Sequence, residues 1–143
     1  MNRSTIFTLL CLSLLFPSCK KMGCMDVNAT SYEVVAQKDD GSCTYKGSLG
    51  IWLDETKAQE YVSLGIDSLY YFIDYKEKAG ASVASFYLNP PSCGDVNVVT
   101  LNFDLGKYSS NNYTLLVKSE TGAVVDNYPV TVEGNKCTLF LLK

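Results

Sequence analysis

Hydrophobic and polar positions alternate through most of the chain after residue 46, with a period of two rather than 3.6. Val99, Leu101, Phe103 and Leu105 fall on one face, with Thr100, Asn102 and Asp104 opposite. Tyr113, Leu115 and Val117 repeat the pattern, as do Leu49, Ile51 and Leu53 earlier. Such alternation marks strands of a sheet with one buried side. Tyr61 to Leu64, Leu69 to Tyr75, Val83 to Leu88, Val124 to Val132 and Cys137 to Leu141 read as further strands. Asp54 to Glu60 reads as a polar turn or a single helical turn, and Lys76 to Gly80 as a charged connection. Asn89-Pro90-Pro91-Ser92 stops any strand, because proline cannot donate to a ladder. Gly106-Lys107 and Glu120-Thr121-Gly122 mark turns, and Glu133 to Lys136 reads as a two-residue hairpin. About seven strands in this length predict an all-β fold, a two-sheet antiparallel sandwich over residues 46–143.

The beginning of the chain follows a different pattern. Arg3 precedes an apolar run from Ile6 to Phe16, then Pro17, Ser18 and Cys19. The run suits a signal-peptide core and is about half the length a transmembrane helix requires. Proline breaks the helix, a small serine precedes the cleavage point, and a cysteine follows. Leu15 to Lys21 resembles a bacterial lipoprotein signal of the Bacteroidota type. The resemblance implies removal of residues 1–18, a lipidated N-terminus at 19–22 with lipid on Cys19, and anchoring to the outer membrane. Acyl chains contribute about 0.8 kcal/mol per buried methylene, so release is negligible. In that phylum acidic residues soon after the lipidated cysteine direct export to the surface. Lys20 and Lys21 stand there instead, and both faces of the membrane stay open.

Composition narrows the function. The 143-residue chain has a net charge of −3 and no basic stripe, which disfavours nucleic acid. It contains no histidine, which excludes Ser-His-Asp and Cys-His sites and removes the commonest metal ligand. Asp54, Glu55, Asp67, Asp74 and Glu77 are the acids from which a glycosidase pair would come, and their spacing defines none. We expect no catalytic residue, and a non-enzymatic protein.

Six cysteines are present. Cys11 lies in the removed segment and Cys19 carries lipid, leaving Cys24, Cys43, Cys93 and Cys137 in an oxidising compartment. Four cysteines allow three pairings. Cys24–Cys43 and Cys93–Cys137 each keep a bridge within one composition block, closing loops that contribute about 3 and about 4 kcal/mol. No C-x-x-C spacing supports a zinc site.

Residues 23–45 read GCMDVNATSYEVVAQKDDGSCTY. They are too few for a core and need the bridge. Asp39-Asp40-Gly41-Ser42 is a turn in which carboxylates cap local N–H groups. The same hard oxygens, Asp26, Asn28, Asp39 and Asp40, form a candidate calcium set. The EF-hand pattern is not met, because Ser31 and Gln37 stand where glycine and glutamate belong. The block resembles a module of Bacteroidota extracellular proteins, G-C-x-D-x-x-A-x-x-Y…A…D-D-G-S-C-x-Y, and we read it as a stiff spacer. The following domain resembles the prealbumin-like or carboxypeptidase-regulatory-like sandwiches. Pro91-Ser92-Cys93-Gly94, Gly106-Lys107-Tyr108 and Val130 to Leu139 resemble the ends of small lipoproteins of that phylum.

Two surface features complete the reading. Tyr61, Tyr71, Tyr75 and Trp52 are candidates for a glycan or partner platform, against the alternative that they fill the core. Asp67-Ser68-Leu69 resembles the O-glycosylation site of Bacteroidota, with Ser68 on a turn. The expectation is an anchored envelope lipoprotein that presents its sandwich to an envelope protein or a glycan. The alternative is a carbohydrate-binding accessory lipoprotein of a glycan-uptake system.

Overall fold

The structure is a computed structural model that describes residues 20–143. The expected signal segment and Cys19, the expected lipid site, lie outside the described residues. Two sheets pack face to face. The smaller contains β3 (Tyr45–Trp52), β6 (Val99–Gly106) and β9 (Cys137–Leu141) in the order β6-β3-β9. The larger contains β4 (Ser68–Ile73), β5 (Lys76–Ser82), β7 (Ser110–Ser119) and β8 (Val124–Glu133) in the order β5-β4-β7-β8. A parallel pair, β1 (Met22–Gly23) and β2 (Lys38–Asp39), stands apart in the N-terminal module. The core lies between the two sheets. Leu49, Ile51, Leu101 and Leu105 come from one, and Leu69, Tyr71, Ile73, Leu115, Val117, Val130 and Val132 from the other. The period-two positions therefore do point inward, and the seven-strand sandwich is as expected.

Strand pairing departs from that expectation in one place. β3 and β6 are antiparallel, but β3 and β9 run parallel. The reason is the turn after β8. Glu133 to Lys136 does not close a hairpin; it carries the chain from the larger sheet to the smaller. Gly134 passes so close to Tyr45 that a Cβ there would sit 2.7 Å from Tyr45 Cδ1. Cys137 and Leu139 share the outer face of β9, where they meet Cys93 and the Gly50 backbone, while Leu142 is fully buried. Pro129 is accommodated because β8 is an edge strand, where a missing donor costs no ladder bond.

Three segments change type. Tyr61 to Leu64, read as a strand, belongs to helix α1 (Glu55–Ser63). The Asp54 side chain accepts from Lys57 N at 2.8 Å as N-cap. At the other end Gly65 adopts φ +74°, Gly65 N donates to Val62 O and Ile66 N to Tyr61 O, a Schellman termination. Lys76 to Gly80, read as a connection, lies in edge strand β5, where lysines discourage further pairing. Val83 to Leu88, read as a strand, lies outside the sheets and joins the chain by a single bridge, Tyr87 to Asp54.

The segment from Val83 to Val98 covers the outer face of the smaller sheet. A Cβ on Gly50 would meet Leu139, Val98 and Cys93 Sγ, so the covering layer packs directly on bare backbone. The Cys93–Cys137 disulfide fastens that layer to β9. This explains why β3 is buried on both faces along its C-terminal half.

Candidate functional site

The second disulfide, Cys24–Cys43, closes the N-terminal module. Asp26 Oδ1 accepts from Asn28 N, Asp39 Oδ1 from Gly41 N and Asp40 Oδ1 from Ser42 N. The remaining Asp26 oxygen accepts from the Tyr45 hydroxyl at 2.6 Å, joining the module to the start of β3. That hydrogen bond, with the one from Asn28, holds the Asp26 carboxyl below its ordinary value. The candidate calcium oxygens thus cap turns and a docking contact. Among the described residues no group of three His, Cys, Asp or Glu side chains gathers to hold a metal.

The candidate aromatic platform does not form, and three of its four residues fill the core, the alternative reading. Trp52 is buried under the covering layer, with its ring edge-on to Tyr87 at 6.5 Å. Tyr71 points into the core from β4, and burial raises its phenol pKa. Tyr61 is buried on α1, where it donates to Asp126 of β8. Burial, then the bond to Asp126, raises its pKa as well. Lys57 joins this cluster, 3.1 Å from Glu60 and 3.5 Å from Asp126. Desolvation opposes its charge, but the bond to Glu60 and the Asp126 carboxylate outweigh it and raise the pKa. The cluster locks the helix to the edge of the larger sheet. Of the four aromatic residues only Tyr75 is on the surface, 79% exposed. Ser68 is the half-buried first residue of β4 rather than a turn residue, and its N–H donates to Glu120.

An open site lies elsewhere, at the edge where β5 faces β6. Strand β4 ends at Ile73, paired with Leu115, whereas β7 continues back to Ser110. The early end of β4 leaves the adjoining edge of β7 and part of the inner face of β6 open beyond it. The result is a cleft of about 470 Å3 lined by Asp74, Lys76, Lys78, Asn102, Phe103 and Tyr113, among others. Its floor is the Phe103–Tyr113 pair, with ring centroids 4.7 Å apart and planes inclined at 42°. Both rings are half-buried.

One wall of the cleft is the β4–β5 turn. Asp74 and Tyr75 both have positive φ, +47° and +68°, the primed turn that matches strand twist. Asp74 N donates to Thr114 O and Thr114 N to Asp74 Oδ1, each at 3.1 Å, pinning the turn to β7. The opposite wall is β6, whose outer face carries the Asn102 side-chain oxygen, accepting from Ser48 Oγ at 2.8 Å. A second cavity, about 490 Å3, shares Asn102 and Phe103 and reaches Lys46 and Lys136 on the far side of β6. Lys76 and Lys78 form no ion pair among the described residues, unlike Lys57 and Lys136.

Phe103 and Tyr113 were legible as inward-facing strand residues. That they border a cleft depends on the length of β4, which periodicity does not report. No family model matches the chain, and no curated protein or solved structure matches it.

Proposed function

We propose that the protein is a non-enzymatic envelope lipoprotein of the Bacteroidota type, held at the outer membrane by lipid on Cys19, whose sandwich contacts an envelope protein or a glycan. The observation that carries the contact role is the cleft beside the Asp74–Tyr75 turn. It joins aromatic surface to a few polar groups, the usual composition of a recognition site. Two disulfides agree with an oxidising compartment. The bridged module docked through Tyr45 separates the anchor from the sandwich. Among the described residues no helix is long and apolar enough to cross a membrane, so attachment in this reading rests on the lipid.

The carbohydrate-binding reading moves from Trp52 to Phe103 and Tyr113, the half-buried rings that border open space. The test has two parts. Metabolic labelling with an alkyne-bearing palmitate should mark the wild-type chain, and Cys19→Ala should abolish both the label and membrane retention. A photo-crosslinking residue in place of Tyr75, in intact cells, should capture one partner or glycan-bearing species. An unlabelled, freely released wild-type protein, or crosslinks no more frequent than from exposed Val96 on the covering layer, would refute the proposal.

A further inference from the structure

We propose that the cleft between the Asp74–Tyr75 turn and β6 binds an acidic saccharide, a pyranose chain bearing carboxylate groups. The inference rests on the contact role proposed above and gives it a ligand class. Four observations converge on it.

The first is charge. The chain is acidic overall, net −3, yet two lysines without ion-pair partners among the described residues, Lys76 and Lys78, line this cleft. Lys76 is paired in register with the buried Ile73, so it occupies a core-facing position of an edge strand. Unpaired cations beside a low-dielectric wall attract an anion more strongly than cations on open surface.

The second is the aromatic floor. Phe103 and Tyr113 are in close, inclined contact, and each remains partly exposed. Aromatic faces of this kind accept the apolar C–H side of a sugar ring while hydroxyls turn to polar groups at the rim.

The third is the mixture of signs. One Asp74 oxygen accepts from Thr114 N, and the other has no hydrogen-bond partner among the described residues. A carboxylate in the same cleft as two lysines repels an anion that brings no donors. A uronic acid brings both, a carboxylate for the lysines and hydroxyl donors for Asp74. An acidic peptide offers the anion with far fewer donors.

The fourth is the exposed aromatic residue of the turn. Tyr75 stands between two cleft residues, Asp74 and Lys76, with φ +68° and a ring 79% exposed. A non-glycine residue in the left-handed region costs about 1–2 kcal/mol. The turn leaves an exposed aromatic ring on the residue between two that line the cleft.

The test uses the full mature lipoprotein, extracted from membranes in detergent and titrated calorimetrically with hexagalacturonate. Neutral cellohexaose and hexaglutamate are the comparison probes. Hexagalacturonate should bind, with the affinity falling about tenfold in K76S/K78S and again as salt is raised. Tyr75→Gly should weaken binding about fivefold without lowering thermal stability, because glycine relieves the positive φ. No hexagalacturonate binding at millimolar concentration, or binding unchanged in both variants, would overturn the inference. Equal binding of hexaglutamate would also overturn it, since the saccharide would then be irrelevant. Cellohexaose binding lost in Tyr75→Gly but not in K76S/K78S would overturn the acidic class and leave the contact role standing. A protein captured at Tyr75, with all three probes silent, would do the same.

Discussion

At the scale of single residues, polar groups that look chemically equipped serve packing. The phenol of Tyr61 is buried, and its hydroxyl donates to Asp126, which also faces Lys57. A buried hydrogen bond to a charged group is worth about 2 kcal/mol when its loss leaves the acceptor unsatisfied. We expect Tyr61→Phe to lower stability by about 2 kcal/mol in urea unfolding, with no change in slope. Asp126→Ala should cost about 3 kcal/mol, because it also strips a partner from a buried ammonium. The two effects should fall short of additivity in the double variant, since they break one network. Gly47 is equally constrained for a steric reason. A Cβ there would strike the Glu133 carbonyl and lie 2.7 Å from Val132 Cγ1. Gly47→Ala should cost about 2 kcal/mol by overpacking, measurable as a lower melting temperature.

At the scale of elements, the covering layer depends on one covalent link. Val83 to Val98 contributes no strand, yet it buries Trp52, Val98 and the outer face of β3. The Cys93–Cys137 bridge closes a 44-residue separation and removes about 4 kcal/mol of chain entropy from the unfolded state. The double variant Cys93→Ser/Cys137→Ser should lose about that much stability. It should also raise Trp52 exposure to a soluble quencher before global unfolding. Loss of stability with Trp52 still shielded would show that packing alone holds the layer.

Helix α1 shows which signals outweighed which. Tyr61-Val62-Ser63-Leu64 has β-type composition, but Asp54 and Gly65 bracket the segment with an N-cap and a left-handed terminator. Those caps were present in the sequence, as was the i, i+3 spacing of buried Ala58 and Tyr61. Strand β5 was misread for the opposite reason. Its Lys-Glu-Lys run resembles a loop, although charge is also how an edge strand protects itself.

At the scale of the whole molecule, pH should reveal the buried phenols. Tyr61 and Tyr71 have raised pKa values, from burial first, so each stays neutral in the folded state past its ordinary value of about 10. Their contribution is complete below that pH and is lost as pH climbs from it toward the raised folded values. Denaturant midpoints should therefore hold steady from about pH 7 to 9 and fall above about pH 10, less steeply in Tyr61→Phe. Asp26 works in the other direction. Its lowered pKa, set by the Tyr45 hydroxyl and then Asn28 N, stabilises above the ordinary carboxylate value near 3.8 and is lost as pH falls through the lowered value. Acid should loosen the N-terminal module first, seen as earlier amide exchange at Thr30 and Lys46, whose N–H groups bond across that junction.

The sequence by itself determined the sandwich class, the inward-facing positions of β3, β6 and β7, and the turns at 39–42, 106–107 and 120–122, and it favoured the two cysteine pairs that form. Each is a local pattern: a period of two, a cysteine spacing, a cluster of turn formers. Only the tertiary structure decided that β9 joins β3 in parallel, that Trp52, Tyr61 and Tyr71 are core rather than platform, and that Phe103 and Tyr113 border a cleft. Those outcomes depend on which strands become neighbours and where each one ends. Alternation gives every aromatic side chain a direction, but it does not say whether another layer lies in that direction. Trp52 is covered, whereas Tyr113 meets Phe103 but lies beyond the end of its neighbour strand β4 and stays partly open.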